Sequence, residues 1–211
     1  MKPSKPTKQL LKRLNVYLDY LKSLPESVTS ISATSIARAL GLGDVQVRKD
    51  LAKASDGGQR RVGHNRARLI RDIESYLDLS TVTKAVLVFS GKLGAALLDF
   101  TEFEKYGLQL QAGFHLHSTA EPDRTGCPVY PIGALKEYCT AHSIHIGMIA
   151  VPAESAQEAC DLLIGCGIRA IWNFSSALVS APKSVAVHNS NLTVSATALR
   201  IQLQEQQYKN M

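Results

Sequence analysis

Apolar positions recur at helical spacing through the first part of the chain. Residues 8–24 carry them every three or four positions, and Pro25 ends the segment. A second helix is predicted after Ser32, a good N-cap, and Gly41 stops it. A third helix is predicted over residues 44–54, whose first residue is another plausible N-cap. The pattern therefore predicts three helices, the last two joined by a short turn.

The third predicted helix is basic on the side that faces away from its apolar stripe. Lys49 and Lys53 point outward, with Gln46 and Arg48 on the flanks. Two helices joined by a short Gly-containing turn, the second of them basic, are typical of a helix-turn-helix. Side chains such as Gln46 and Arg48 pair bidentately with adenine or guanine edges, and the two lysines are placed to reach phosphates.

A basic segment flanked by glycines follows the third helix. Residues 57–64 predict a wing, and Arg60 and Arg61 at its tip suit the strongly negative minor groove. An amphipathic helix is predicted over residues 65–77. The competing interpretation is an ordinary three-helix domain with exposed charge.

From Thr83 onward the pattern changes to alternating strands and helices. A strand over residues 85–89 leads through a short loop into a helix that opens at Leu93. Further strands are predicted at residues 108–116, 146–151 and 169–174, and further helices at residues 133–142 and 155–165. Such alternation predicts an α/β fold with a doubly wound parallel sheet.

The turn after the first of these strands contains part of a dinucleotide-binding fingerprint. Gly91 and Gly94 remain of G-x-G-x-x-G, while Phe89 stands at the first glycine. Backbone N–H groups at such a turn hold a pyrophosphate. His115, with His117 nearby, stands where the second strand usually offers a carboxylate to the ribose. Surface polarity is the favoured interpretation of both histidines, and no third metal ligand is evident near them.

A last helix is predicted over residues 195–208. Its apolar residues need a surface to cover, either by folding back or by crossing to a partner chain. They are Ala198, Leu199, Ile201 and Leu203.

Charge separates the two parts of the chain. Residues 1–80 contain fifteen Lys or Arg against eight Asp or Glu, whereas residues 81–211 contain nine against ten. A basic excess confined to the first part indicates a polyanionic partner, with a solvated basic surface as the alternative.

Cysteine spacing and hydropathy indicate where the protein works. The four cysteines show no C-x-x-C spacing and fall in apolar or helical surroundings. No apolar run approaches the roughly 18 residues of a membrane span. These features predict reduced thiols in a cytoplasmic protein that does not enter a membrane.

Several short motifs follow one another along the chain. In the first part they are Gln46-Val47-Arg48-Lys49-Asp50-Leu51 and Arg61-Val62-Gly63-His64. In the second part they are Lys92-Leu93-Gly94, Pro128-Val129-Tyr130, Val151-Pro152-Ala153 with Ala156-Gln157, and Gly167-Ile168 followed by Asn173-Phe174. Together these motifs resemble the Rex family of bacterial repressors over residues 8–207.

The resemblance implies a winged-helix DNA-binding domain at residues 1–80, a Rossmann-like domain at residues 81–192 and a swapped dimerisation helix at residues 193–211. It implies a homodimeric repressor, not an enzyme, that binds palindromic operator DNA and leaves it when NADH binds. Arg48 and Lys49 match the DNA-contacting positions of the recognition helix, and Arg61 lies in the matching wing. The NAD(H)-binding positions that it implies are Gly91, Lys92, Leu93, Gly94, His115 and Pro152.

Four positions depart from the family pattern. Phe89 replaces the first fingerprint glycine, and its side chain is predicted to obstruct the dinucleotide backbone. His115 replaces the ribose-binding acid. Asn191 replaces an aspartate that takes part in switching, and Ser176 replaces a proline. We therefore expect NADH to bind weakly or not at all.

Other interpretations stay open. One is another phosphate-bearing ligand, such as NADPH in a pocket made cationic by Lys92, His115 and His117, or no ligand at all. A second is an NAD(P)-dependent oxidoreductase with an accessory helical domain, although no Tyr-x-x-x-Lys pair or positioned acid and base is evident. A third is an architectural DNA-binding protein whose second domain only dimerises.

Overall fold

The computed structural model describes residues 6–58, 63–117 and 126–209. The chain divides into two compact units, Met1–Thr81 and Val82–Met211. The predicted wing-tip residues Arg60 and Arg61 lie outside the described residues. No helix in the described ranges is long and apolar enough to cross a membrane.

The first unit is mainly helical. Its elements are α1 (Lys8–Ser23), β1 (Ser30–Ile31), α2 (Ala33–Leu40), α3 (Asp44–Ala54), β2 (His64–Asn65) and α4 (Arg66–Tyr76). The helices pack around one apolar core, in which Leu14 of α1, Ile36 of α2 and Leu51 of α3 are completely buried. The helices predicted from apolar spacing are confirmed, because each presents one apolar stripe to this core.

Local capping sets the helix boundaries. The Ser32 hydroxyl accepts from the backbone N–H of Ser35 at 3.0 Å and caps α2. Gly41 ends α2 in the left-handed conformation, with φ at 64°. The prediction of Asp44 as N-cap of α3 is wrong, because Gly43 takes that place and Asp44 is the first helical residue. Its carboxylate still lies at the helix N-terminus, where the helix dipole favours negative charge.

The segment after α3 pairs with a distant strand. β2 runs antiparallel to β1, with Ile31 opposite His64. Gly63 precedes β2 with φ at 86°, and a Cβ there would lie 2.5 Å from the carbonyl oxygen of Ile31. Only glycine allows this close approach. The described arm of the predicted wing is therefore fixed against the strand that leads into α2.

The second unit is an α/β domain. Its strands are β3 (Thr83–Phe89), β4 (Leu108–His115), β5 (Val129–Pro131), β6 (Ile146–Ala150), β7 (Ala170–Asn173) and β8 (Ala186–Asn189). Its α-helices are α5 (Gly91–Leu98), α6 (Leu135–His142), α7 (Ala156–Gly165) and α8 (Leu192–Lys209). All described strand pairs of this unit are parallel, in the order β5-β4-β3-β6-β7-β8. The predicted doubly wound sheet is confirmed.

Helices cover both faces of this sheet. On one face, α6 and α7 bury Leu135, Cys139 and Leu163 against strand residues. On the other face, α5 buries Leu98 against Phe89. Helix α5 begins at Gly91, two residues before the predicted start, and α8 begins three residues before its predicted start. The short strands β5 and β8 were not predicted.

Candidate functional site

The outer face of α3 is polar and basic. Gln46, Arg48, Lys49 and Lys53 are all exposed on it, while Val47 on the inner face is fully buried. Because α2 and α3 are packed on the same core, the outer face of α3 is held as a fixed surface. A rigid helix with long donors on one side is the geometry that enters a major groove.

Arg48 is paired within its own motif. Its guanidinium donates to Asp44 at 2.8 Å and to the hydroxyl of Thr34 on α2 at 3.3 Å. The Thr34 hydroxyl in turn donates to Asp44 at 2.9 Å. An exposed i,i+4 ion pair is worth only about 0.3–0.5 kcal/mol. Arg48 can therefore exchange this pair for a base edge or a phosphate at little cost.

Asp50 was missed by the sequence reasoning, although it lies in the same helix. It is 1% exposed and sits on the inner side of α3. The Arg13 guanidinium donates to both of its oxygens, at 2.6 and 2.9 Å. The Tyr17 hydroxyl and the Gln46 side-chain amide also donate to it, at 3.0 and 2.8 Å.

These hydrogen bonds keep Asp50 ionised. Burial alone raises the pKa of a carboxyl group, but the bonds from Arg13, Tyr17 and Gln46 outweigh burial and hold the pKa of Asp50 below its ordinary value. A signal was present in the sequence, since Gln46 and Asp50 stand four residues apart on one helix. The basic and aromatic partners on α1 could not be found from spacing alone.

Part of the basic excess of the first unit has a structural role. Arg66 donates to the carbonyl oxygens of Leu21, Leu24 and Pro25 and so caps the C-terminus of α1. Arg68 pairs with Asp56 at 2.7 Å. Net charge therefore overstates the number of cations that are available to a phosphate backbone.

The nucleotide-binding candidates lie at the carboxyl edge of the sheet. Between β3 and β6 the strand order reverses direction, and open α/β sheets bind ligands at such a switch point. Gly91 follows β3 with φ at 73°, and the space around its Cβ position is open. Pro152 is exposed just after β6. The backbone N–H of Ser90 donates to Ala150 at 3.0 Å, which joins the two strand ends.

The first turn of α5 is open to a ligand. Ser90 precedes the helix but makes no side-chain cap, and Lys92 and Leu93 are exposed. The first N–H groups of a helix have no partner within the helix and attract anions. Gly91, Lys92, Leu93 and the buried Gly94 are therefore brought together in one helical turn at the carboxyl edge of the sheet.

Phe89 does not obstruct this turn, and the prediction that it would is wrong. Its side chain is 5% exposed and lies in the core beneath α5, on the same side of β3 as Leu87. A Cβ added at Gly94 would overlap the Cβ and ring of Phe89, and one at Gly113 would lie 2.9 Å from the ring. The alternation of side chains along β3 turns Phe89 inward, to the side of the sheet that α5 covers.

His115 lies at the end of β4, beside the last residue of β3. The imidazole is half-buried and meets the Phe89 ring edge to face at a centroid distance of 5.2 Å. Its Nδ1 accepts from the backbone N–H of His117 at 3.3 Å, so Nε2 carries the remaining proton. His117 itself contacts the Ser155 hydroxyl at 3.3 Å. A donor thus stands where a carboxylate acceptor was expected.

The described residues contain no group of three potential metal ligands. His115 and His117 are close in the structure, but His117 contacts Ser155 and no third His, Cys, Asp or Glu joins them within the described ranges.

Two other departures from the family pattern contact one another. The Asn191 side-chain oxygen accepts from the backbone N–H of Thr193 at 2.9 Å and caps α8. The Asn191 amide donates to the carbonyl oxygen of Ser176 at 3.0 Å. An aspartate would cap the helix equally well but has no N–H for Ser176. Asn191 therefore ties the start of α8 to the loop after β7.

Comparison with known proteins identifies the family. A model described as the putative DNA-binding protein N-terminus matches residues 6–52, and a CoA binding domain model matches residues 81–177. The redox-sensing transcriptional repressor Rex of Porphyromonas gingivalis is 36% identical over 86% of this chain and 84% of its own. The chain belongs to the Rex family of redox-sensing transcriptional repressors.

Other Rex proteins match over nearly the whole chain. Rex of Clostridium botulinum strain Eklund 17B is 36% identical over 93% of this chain and 95% of its own. The crystal structure of RSP in complex with beta-NAD+ and operator DNA covers 98% of this chain and 96% of its own, with a TM-score of 0.87 and 26% identity. RSP in complex with beta-NADH gives a TM-score of 0.85 at 25% identity. These relatives are repressors, so the oxidoreductase interpretation is set aside.

Proposed function

We propose that this Rex protein represses transcription by binding operator DNA through α3, and that a dinucleotide bound at the carboxyl edge of its α/β unit regulates this binding. The observation that carries the proposal is the pairing of an exposed basic face on α3 with an open glycine turn at the switch point of the sheet. The proposal is also supported by the overall similarity of this chain to RSP, which was solved in complex with beta-NAD+ and operator DNA.

The four exposed side chains of α3 are proposed to make two kinds of contact with DNA. Gln46 and Arg48 read base edges, and Lys49 and Lys53 contact phosphates. Arg60 and Arg61 are proposed to add minor-groove contacts from the wing, and they lie outside the described residues. The exposed apolar residues of α8, among them Leu199 and Leu203, are proposed to join two copies, because a two-fold protein matches a palindromic operator.

At the nucleotide site, the glycine turn fits the pyrophosphate, and Pro152 borders the crevice from the β6 side. A bound NAD(H) would supply the redox signal through its nicotinamide ring. His115 offers a donor instead of a carboxylate to the ribose hydroxyls. Each charge-assisted hydrogen bond lost in this way is worth about 1.5–3 kcal/mol, or about tenfold or more in affinity. We therefore still expect NADH to bind weakly, and the reason is the loss of the ribose-binding carboxylate at His115.

The same geometry favours a second candidate ligand. The Nε2–H of His115 suits an acceptor-rich 2′-phosphate, which a carboxylate would repel. Lys92 is exposed on the first turn of α5 and adds positive charge to this edge of the sheet. NADPH is therefore the alternative effector.

The test is a ligand titration with operator binding as the readout. An operator duplex is first selected from a random DNA pool, and NADH, NAD+ and NADPH are then added to the protein–DNA complex. We expect NADH to release DNA only at concentrations above the physiological range. Submicromolar NADH binding coupled to release would show that His115 supports ribose binding, and failure to select any sequence would overturn operator recognition itself.

A further inference from the structure

Among the residues that the structure describes, the Gln46 side chain makes one hydrogen bond, and that bond points inward. Its Nε2 donates to Oδ1 of Asp50 at 2.8 Å, although Gln46 itself is exposed. Within the described residues, its Oε1 and its second amide N–H make no hydrogen bond. The amide is therefore held through one N–H, and no described residue occupies its other N–H or its Oε1.

Asp50 is itself fixed by groups on α1. Its Oδ1 also accepts from Nη2 of Arg13 at 2.9 Å, and its Oδ2 accepts from Nε of Arg13 at 2.6 Å and from the Tyr17 hydroxyl at 3.0 Å. Each oxygen thus has two donors. A bidentate guanidinium and a buried hydroxyl leave this carboxylate little freedom, so its Oδ1 is a fixed point for Gln46.

Arg13 also neutralises the charge of the Asp50 carboxylate on the inner side of α3, which would otherwise repel DNA phosphates. The Arg13 side chain is 27% exposed and the Asp50 side chain 2%, so the anion is screened from outside by its own partner. Asp50 therefore orients Gln46 without presenting a free negative charge to phosphates.

Adenine recognition needs an acceptor and a donor side by side, and an amide offers both on one edge. A free glutamine side chain must lose rotational freedom to present that edge, at a cost in affinity. A glutamine with one N–H already bound to a fixed carboxylate has lost much of this freedom beforehand. The other N–H and Oε1 of Gln46 then form the donor–acceptor edge that pairs with adenine.

We propose that Asp50 is a specificity-determining positioning residue, whose carboxylate holds Gln46 in the orientation that reads adenine. The proposal rests on operator binding through α3. It adds that adenine is the base recognised and that Asp50 orients the Gln46 side chain that recognises it. Asp50 itself contacts no base.

The test is selection of binding sites from a random duplex pool with four full-length proteins: wild type, Gln46→Ala, Asp50→Asn and Tyr17→Phe. Asp50→Asn keeps the side-chain volume but leaves one oxygen for several donors, and the charged Arg13 competes best for it. Tyr17→Phe is the matched control, because it removes a bond to Asp50 from the same buried network but leaves the oxygen that Gln46 uses.

We expect the wild type to select adenine at one position of each half-site. Gln46→Ala and Asp50→Asn should each lose about tenfold of that preference while keeping the others, and Tyr17→Phe should keep it. An unchanged adenine preference in Asp50→Asn, or an equal loss at every position, overturns the positioning role. If the wild type selects no sequence at all, operator binding fails first.

A second measurement uses the wild type alone and so does not depend on whether Asp50→Asn folds. In ¹⁵N-edited NMR spectra of the free protein, one side-chain amide proton of Gln46 should exchange slowly and the other quickly. Equally rapid exchange of both amide protons would overturn the proposal, because Gln46 would then be free in solution.

Discussion

The buried ring of Phe89 stabilises the α/β unit at the site where a fingerprint glycine was expected. Phe89→Ala should lower the free energy of unfolding by about 3–5 kcal/mol, because it leaves a cavity beneath α5. Urea unfolding followed by the fluorescence of Trp172 measures the change. Phe100→Ala is the matched control, since Phe100 is 48% exposed and its removal should cost far less. Similar losses in the two variants would contradict the inward packing of Phe89.

A second single-residue effect concerns ribose recognition. His115→Asp returns a carboxylate to the end of β4, and it should tighten NADH binding by about tenfold or more because charge-assisted bonds to the ribose become available. It should weaken NADPH binding by repelling the 2′-phosphate. Calorimetry with both nucleotides measures the two effects. The control is His145→Asp. His145 is exposed and directly precedes the amino end of β6, at the edge of the sheet away from the proposed site, so both affinities should be unchanged.

Within the elements, the short strand β2 carries a buried titratable group. Burial lowers the pKa of His64, while the charge of Asp72 opposes the shift. Its Nδ1 is buried and has no hydrogen-bond partner in the described part of the chain. The folded unit therefore favours the neutral imidazole. Stability that depends on neutral His64 is complete above the ordinary histidine pKa of about 6.5 and is lost as the pH falls below it.

Acidification from pH 7.5 to 5.5 should therefore destabilise the first unit. Amide hydrogen exchange in α1 and α4, corrected for intrinsic rates, should report faster opening at the lower pH. His64→Gln, which stays neutral throughout, should make this opening less dependent on pH. His145→Gln, at an exposed position in the other unit, should leave the dependence as in the wild type. An identical pH response in His64→Gln would count against the assignment.

The exposed basic side chains of α3 are expected to contribute differently to DNA binding. Lys53→Ala should weaken binding to operator and random DNA by similar factors and reduce the salt slope by about one, because a phosphate contact releases a counterion. Arg48→Ala should cost about 1–3 kcal/mol and relax sequence preference. Fluorescence anisotropy over a salt series separates the two effects. Equal losses on both kinds of DNA for Arg48→Ala would argue against base readout.

For the whole molecule, the exposed apolar residues of α8 bear on how two copies would join. Leu199 is 68% exposed and Leu203 is 55% exposed. Leu199→Glu should therefore convert the proposed dimer to a monomer, whereas Gln202→Glu should not. Analytical ultracentrifugation gives the mass of each. A stable dimer that carries Leu199→Glu would rule out α8 as the joining surface.

Sequence patterns predicted the two kinds of architecture because the helices of the first unit have a clear apolar period and β3 is a continuous apolar run. The strands β5 and β8 escaped because three or four residues hold too little of a period to detect. The outward face of α3 followed from the same period, but the buried bonds of Asp50 join residues more than thirty positions apart. Such contacts depend on how α1 and α3 pack, which no local pattern contains. Strand alternation alone places Phe89 on the same side of β3 as Leu87. The comparison with the glycine fingerprint instead predicted that its side chain would obstruct the turn.

The packing of Phe89 beneath Gly94 also has an evolutionary consequence. No residue with a Cβ fits at position 94 while a phenylalanine occupies position 89, so the two positions cannot drift independently. A lineage that regains glycine at 89 opens a void and relaxes the constraint on 94, whereas a lineage that keeps phenylalanine must keep glycine. Aligned sequences from close relatives should therefore show the two positions covarying, with the fingerprint glycine at 94 preserved for packing even where nucleotide binding no longer selects for it.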